Sequence, residues 1–353
     1  MDFQLSEDQQ ALQAAARGLL DELASPERVR RYLDSPAPLD ADLWRAMADQ
    51  GWLAGTLTEA AGGLGLGWVE AAVLLEELGR HAAPVPLLPT LVSLGTLSRA
   101  GRSDWVEPLL SGERVGAAVW AGGRVDAEKT GDGTWRLRGR AGLVEAAGAA
   151  DVALVGTDEA VFGVDLEATG RPDLEPAMDV TRRLSWLTLD GAPATWLGGP
   201  DLAQDFLQRG ATGASALLLG GASRVLDDTT QYAKDRVQFD QPIGSFQAVK
   251  HRCADMLVDV EGMRSATWYA AWSIDARADD SALAASAAKV WCSDAAARVM
   301  ASGLQVHGGV GFTWDHDLHL YLKRAQFEGA VFGNASYHRE RIAAVLGPGG
   351  GAH

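Results

Sequence analysis

The sequence predicts an α+β chain in three successive parts: an N-terminal helical domain over 1–112, a middle antiparallel β domain over 113–198 and a C-terminal four-helix bundle over 199–346. Three observations carry that prediction. Apolar residues recur at three- and four-residue intervals through the first third. Between about 115 and 193 the texture changes to short runs of Val, Leu, Trp and Thr separated by Gly and Asp clusters. After Pro200 the helical spacing returns in long stretches.

In the first third, Ser6 and Gln9 make a capping-box pair ahead of Leu12, Ala15, Ala16, Leu19, Leu20 and Leu23, which share one helical face. Pro26 argues for a stop soon after. A second helix is expected over 40–50, with Leu43, Trp44 and Met47 on its apolar side and Gly51 as its C-terminal punctuation. Gly62, Gly63, Gly65 and Gly67 then form a glycine-rich turn before a helix expected over 68–79. Such turns can cradle phosphates, but no strand precedes this one, so close packing against a neighbour is the expected use.

Strands are expected over 115–120, 134–138, 152–155, 160–164 and 184–189. The gaps leave no room for the crossover helices of a parallel βαβ architecture, hence the antiparallel expectation. The bundle helices are expected over 201–234, 246–277, 281–304 and 318–345, with Trp and Leu along buried seams. Residues 347–353 offer nothing apolar to bury and read as a flexible tail.

With 353 residues, 47% hydrophobic and 22% charged, the chain can bury two or three ordinary cores. Its net charge of −16 repels nucleic acid and anionic lipid, so a polyanionic ligand needs a local cluster of positive or hydrogen-bonding groups. Cys253 and Cys292 lie in helical segments without metal-ligand spacing and read as buried, reduced thiols. The start is acidic, with no basic region before an apolar run, and the most apolar stretch, around 214–221, is too short to span a membrane. A soluble, cytoplasmic protein with no nucleic-acid or membrane partner is expected.

Two stretches can carry chemistry. The first runs through Arg236, Phe239, Asp240, Pro242, Gly244 and Gln247, where Pro242 and Gly244 interrupt the helical pattern. Such a corner gathers a guanidinium, an aromatic ring and an amide, and the planar fork of Arg236 suits a diphosphate; taken alone it also reads as a capped interhelical turn. The second holds Gln305, His307, Gly308, Gly309 and Gly311, where the missing Cβ atoms let a ligand approach the backbone. His307 by itself reads as a hydrogen-bonded structural histidine.

Together these stretches resemble the FAD-binding signatures in the C-terminal bundle of the acyl-CoA dehydrogenases. The likeness extends over nearly the whole chain, since the helical, β, helical order is also similar, and it is strongest from Gly210 to Leu346. The resemblance implies that Arg236, Phe239 and Gln247 contact the ADP half of an FAD held at a subunit interface. It further implies that Gln305, Gly308 and Gly309 reach a cofactor bound mainly by the neighbouring subunit. An oligomer follows from such sharing.

The family's reaction removes an α-proton from an acyl thioester while the β-hydrogen leaves as hydride to the flavin, so a carboxylate is required at the α-carbon. Here Phe332, before Gly333, occupies the glutamate's place, and a phenyl ring cannot accept a proton. The alternative site on the first bundle helix reads Gly210-Ala211, again without a carboxylate. Glu328 is expected on the same helical face as Phe332, one turn away, as a structural acid. Asp315 and Asp317 read as helix-capping and surface groups. The segments matching the family's flavin-ring contacts, Val119 to Gly123 and Gly142 to Ala146, keep neither pattern, and Asp240 stands where glycine is common.

The resemblance therefore implies a subunit of an FAD-dependent acyl-CoA dehydrogenase that lacks its own base and works with a homologous partner subunit on an acyl-CoA. Bacterial heterotetramers acting on steroid side-chain CoA thioesters are the analogy. A stand-alone flavin oxidase or monooxygenase of the same superfamily, and a non-catalytic scaffold, remain open readings; the catalytic residue is unassigned.

Overall fold

The computed structural model describes residues 4–131 and 133–347; the expected flexible tail lies, beyond Gly347, outside the described residues. In chain order the N-terminal helices are α1 (Glu7–Leu23), α2 (Pro26–Leu33), α3 (Ala41–Asp49), α4 (Trp68–Arg80), α5 (Leu87–Arg99) and α6 (Ser103–Leu110). The strands β1 (Gly116–Trp120), β2 (Val125–Lys129), β3 (Trp135–Glu145), β4 (Val152–Gly156), β5 (Val161–Asp165) and β6 (Leu184–Gly198) follow, with a short α7 (Leu166–Thr169) before β6. Then come α8 (Pro200–Asp235), a two-residue hairpin of β7 (Val237–Gln238) and β8 (Gln241–Pro242), α9 (Gln247–Asp275), α10 (Ser281–His307), α11 (Leu318–Ala330) and α12 (Ala335–Leu346). The chain forms two compact units: one gathers residues up to Val29, 72–83 and everything from Ala211 on, and the other gathers 30–71 and 84–210.

The first unit begins on the expected capping box, with Ser6 Oγ accepting the Gln9 N–H and the Gln9 side chain accepting that of Ser6. Pro26 ends nothing by itself: after α1 stops it opens α2, because a missing N–H costs nothing in a first helical turn. The end of α4 touches α8 backbone to backbone. A Cβ on Gly79 would stand 2.1 Å from the Leu217 carbonyl oxygen, and one on Gly220 1.8 Å from that of Glu76. Neighbouring Glu76 and Glu77 are buried there; Glu77 takes two bonds from Arg17 of α1, at 2.6 and 3.1 Å, and Glu76 takes Arg264 of α9. Leu218, Val225, Met256, Val260, Val299 and Met300 fill the apolar centre between the long helices.

The bundle departs from expectation in its last member. The helix expected over 318–345 is two helices, α11 and α12, because Val331 turns extended and Phe332 and Gly333 take φ of +51° and +89°. Asn334 then caps α12 by accepting the Tyr337 N–H. Apolar periodicity runs through both helices and hides the break.

In the second unit Asp40 caps α3, whose Leu43, Trp44 and Met47 are buried as expected. The glycine-rich turn is a packing device: a Cβ on Gly63 would stand 2.2 Å from the Leu57 carbonyl oxygen. The N-terminus of α4 is closed by its own Glu70, which accepts the Gly67 N–H at 2.8 Å. Helix α5 is buried nearly all round, so its sequence carries no apolar stripe.

The six strands form one sheet in the order β1-β4-β5-β6-β3-β2. Four pairings are antiparallel, but β1 and β4 run parallel, which corrects the all-antiparallel expectation. A parallel pair needs a long crossover, and the β2–β3 hairpin supplies it without any α-helix. The sequence hides β2 because four of its five residues are exposed and polar or small. Long β6 pairs with β3 through its first part and with β5 through its last residues.

The α4–α8 contact yields a first prediction. Gly220→Ala should destabilise the protein by about 3 kcal/mol, since the clash is with backbone that cannot rotate away. Urea unfolding of the variant, beside an Ala substitution at Gly18 where a Cβ meets nothing within 4 Å, provides the measurement.

Candidate functional site

The corner after α8 is built by a turn with two residues in the left-handed region. The Arg236 N–H closes the last turn of α8 on the Tyr232 carbonyl (2.9 Å), and its own carbonyl accepts the Ile243 N–H (2.8 Å). Between them β7 and β8 pair, and the chain reverses through Phe239 and Asp240 at φ +54° and +61°. A two-residue hairpin of this kind favours Asn-Gly. Aspartate tolerates the conformation, whereas phenylalanine is strained there by about 1 kcal/mol. The Phe239 ring is nonetheless 85% exposed, edge-on to Phe246 at 6.1 Å. Phe246 precedes α9, and Gln247 is the first residue of that helix. Arg236, Phe239 and Gln247 all face solvent in this chain.

The second stretch lies at the end of α10. Gly308, at φ +62° and ψ −142°, stops the helix in a conformation closed to other residues. Gln305, Gly308 and Gly309 are exposed, and a Cβ on either glycine would meet nothing within 4 Å, so their backbone is open to a ligand. His307 is buried, as expected of a structural histidine, with Nδ1 donating to the Gly303 carbonyl at 2.8 Å. Burial lowers its pKa from the ordinary value, against that hydrogen bond.

One ring contact brings the two stretches together. His307 stacks on Tyr232, with centroids 4.4 Å apart and planes 22° from parallel. Tyr232 lies one turn before Arg236, so the stack sets the ends of α8 and α10 side by side at one end of the bundle. Sequence spacing gives no hint of this pairing. The gathered groups fit the ADP half of FAD: a guanidinium for the diphosphate, an aromatic face, two amides and open glycine backbone.

Phe332, which the resemblance sets at the family's base position, is a buried phenyl ring. Phe332 is 5% exposed and lies beyond the end of α11, so it does not share a helical face with Glu328, contrary to the sequence expectation. The break at Val331 turns the chain out of the helix before the next position is reached. Glu328 itself is 1% exposed, and its carbonyl accepts Lys289 Nζ inside the bundle. Burial pushes Lys289 down to about 8, with the Glu328 charge acting in the other direction. At the alternative position, Ala211 lies fully buried within α8 and its carbonyl accepts Ser215 Oγ.

Asp317 stands at the cap position of α11, but its φ and ψ are helical and its side chain makes no cap bond. His316 Nδ1 accepts the Leu318 N–H instead, at 3.2 Å, which corrects the capping expectation for Asp317. In the second unit the segments matched to the flavin ring are committed elsewhere. Glu145 is paired with Arg182, which also donates to the Val85 carbonyl, and the Trp120 carbonyl accepts Arg124 Nη2 at 2.8 Å.

Sequence reasoning missed a buried network beside Phe332. His338, 1% exposed, meets the Phe332 carbonyl through Nε2 at 2.8 Å and Ser286 Oγ through Nδ1 at 3.1 Å. A lysine among Ala284, Ala285, Ala288 and Cys292 was the available signal, since a charge in an apolar helix run needs a partner.

Family models place this architecture. The acyl-CoA dehydrogenase N-terminal domain matches residues 6–113 and the acyl-CoA dehydrogenase C-terminal domain matches 198–347. The chain belongs to the acyl-CoA dehydrogenase family, and so is an oxidoreductase of that type. It is 35% identical to acyl-CoA dehydrogenase IpdE2 of Mycolicibacterium smegmatis, over 97% of this chain and 100% of that protein. The solved ChsE4–ChsE5 complex from Mycobacterium tuberculosis is similar with a TM-score of 0.91 at 32% identity, covering 99% of each chain. A variant of the Tcur3481–Tcur3483 steroid ACAD gives 0.90 at 33%, covering 97% of this chain and 98% of that one. Among the described residues no helix is long and apolar enough to cross a membrane.

The buried histidine predicts a pH dependence. Burial lowers His338 from 6.5 to about 4, while the Phe332 carbonyl opposes the shift. Its contribution to stability is therefore complete above the unfolded value of 6.5 and is lost as pH falls from there to about 4. The loss is about 3 kcal/mol. Urea midpoints measured across that range should show it, and His338→Gln, which does not titrate, should remove this component of the slope.

Proposed function

We propose that this chain is the base-lacking subunit of a hetero-oligomeric, FAD-dependent acyl-CoA dehydrogenase that desaturates an acyl thioester between its α and β carbons. The observation that carries the reading is the buried phenyl ring of Phe332 at the place where the family has its glutamate. A related chain supplies the carboxylate and the contacts to the flavin ring. FAD, when bound, supplies the hydride acceptor.

This chain's own residues bind and orient. The Arg236 guanidinium holds the diphosphate, while the Phe239 ring and Gln247 amide address the rest of the ADP half. Gln305 and the open backbone of Gly308 and Gly309 complete that contact. The exposure of all six in the single chain supports a site finished by a second polypeptide. The internal pairing of Glu145 with Arg182 supports the partner's β segments, not this chain's, as the ring's environment. Two solved relatives, ChsE4–ChsE5 and Tcur3481–Tcur3483, are two-protein structures, and the second is a steroid ACAD, so a steroid-derived acyl-CoA is the proposed substrate class. The cytoplasm is the proposed compartment.

Expression of the chain alone and with its related partner, followed by absorbance spectra and a count of flavin per polypeptide, tests the reading. Flavin should be retained only in the co-purified complex, at one per pair of chains. Arg236→Ala should weaken its retention at least tenfold, the loss of about 1.5–3 kcal/mol expected for a charge-assisted contact. A flavin-loaded homo-oligomer that desaturates an acyl thioester unaided would overturn the proposal.

A further inference from the structure

The end of α11 poses a hydrogen-bonding problem that the bundle solves with groups assigned no other role. A helix that stops inside a core frees the carbonyls of its last turn, and each must find a donor. Helix α11 stops at Val331, whose N–H closes on the Phe327 carbonyl, and the last turn holds the Glu328 carbonyl. Lys289, fully buried on α10, donates to it. The Phe332 carbonyl, turned inward by the positive φ, takes His338 Nε2.

The partners fix the histidine's state. Because Nε2 faces a carbonyl it carries the proton, so Nδ1 accepts from Ser286, which stands one turn from Lys289 on the same helix. Burial keeps the imidazole neutral and this tautomer in place. Gly333 completes the arrangement: a Cβ there would stand 2.5 Å from the Tyr337 ring and 2.9 Å from His338 Nε2. Lys289 and His338 thus hold the break from two helices through the Glu328 and Phe332 backbone carbonyls, and Ser286 orients the imidazole.

We propose that Lys289 and His338 are positioning residues that fix residue 332 at the acyl-thioester site whatever side chain it carries. The link to the acyl site rests on the subunit reading given above; the clamp itself rests on the bonds. In this chain the side chain so presented is a phenyl ring, which lines the site as an apolar wall for the acyl group. Backbone carbonyls do not change when a side chain is replaced, so the frame outlasts the loss of the carboxylate.

Site-specific 4-fluorophenylalanine at position 332 reports on the clamp through its fluorine NMR signal, in the full chain and in the co-purified complex. The unaltered chain and His338→Gln, whose amide still donates to the Phe332 carbonyl, should each give one sharp line. His338→Leu should split or broaden it, with the Tm held within a few degrees, and Ser286→Ala serves as a milder loss should the leucine variant not fold. A line indifferent to these changes overturns the clamp and leaves the subunit reading intact. In the complex, a series of acyl-CoAs from butyryl-CoA to a steroid side-chain acyl-CoA should shift the line where free CoA does not. No shift across that series overturns the placement of residue 332 at the acyl site, whereas failure to pair with a partner or to hold flavin would sink the subunit reading and not the clamp.

Discussion

The contact between the end of α4 and α8 sets much of what surrounds it in the first unit. Two glycines, one on each helix, let backbones meet at a separation that any Cβ would forbid. That closeness buries Glu76 and Glu77 together, and adjacent positions on a helix point to different neighbours. Each carboxylate then needs a cation: Arg17 arrives from α1 and Arg264 from α9. Burial raises the Glu76 carboxyl while Arg264 opposes it, the usual balance of desolvation against pairing. Removing either arginine would leave an uncompensated buried charge, so the glycine contact ties together four helices rather than two.

Much of the fold was legible because its pattern is periodic. The capping box at Ser6, the Asp40-capped helix with its buried Leu43, Trp44 and Met47, and the change of texture near Val115 each rest on local spacing. What escaped has local spacing that points elsewhere or nowhere. Strand β2 is Val-Asp-Ala-Glu-Lys on an exposed edge, where no alternation is required. Helix α5 is buried on every side and so has no stripe. The parallel β1–β4 pair depends on a hairpin that crosses over within the sheet, a matter of topology that composition does not encode.

The candidate site divides along the same line. Glycines and a proline mark the two places where the backbone leaves the helix, and the resemblance singles out Arg236, Phe239, Gln247, Gln305, Gly308 and Gly309 there. The stack of His307 on Tyr232, which joins the two stretches, could not be read from the sequence. Nor could the end of α11 at Ala330, since Leu318 to Leu346 offers continuous helical spacing and the carbonyls at the break are met by Lys289 of α10 and His338 of α12.

Strain and exposure together say how this corner is meant to be used. A phenylalanine in a left-handed turn costs about 1 kcal/mol, and leaving its ring in water forgoes a further ~2 kcal/mol of burial. A chain that kept such a residue for its own stability would have turned the ring inward, as it did with Phe332 under similar backbone strain. The two phenylalanines differ in what surrounds them, not in conformation. The backbone of Phe332 is held within its own bundle by a buried donor, whereas Phe239 is presented outward, as are Arg236 and the open glycines after α10. One phenylalanine is thus enclosed by its own bundle and the other is left at an exposed corner beside a guanidinium and open glycine backbone.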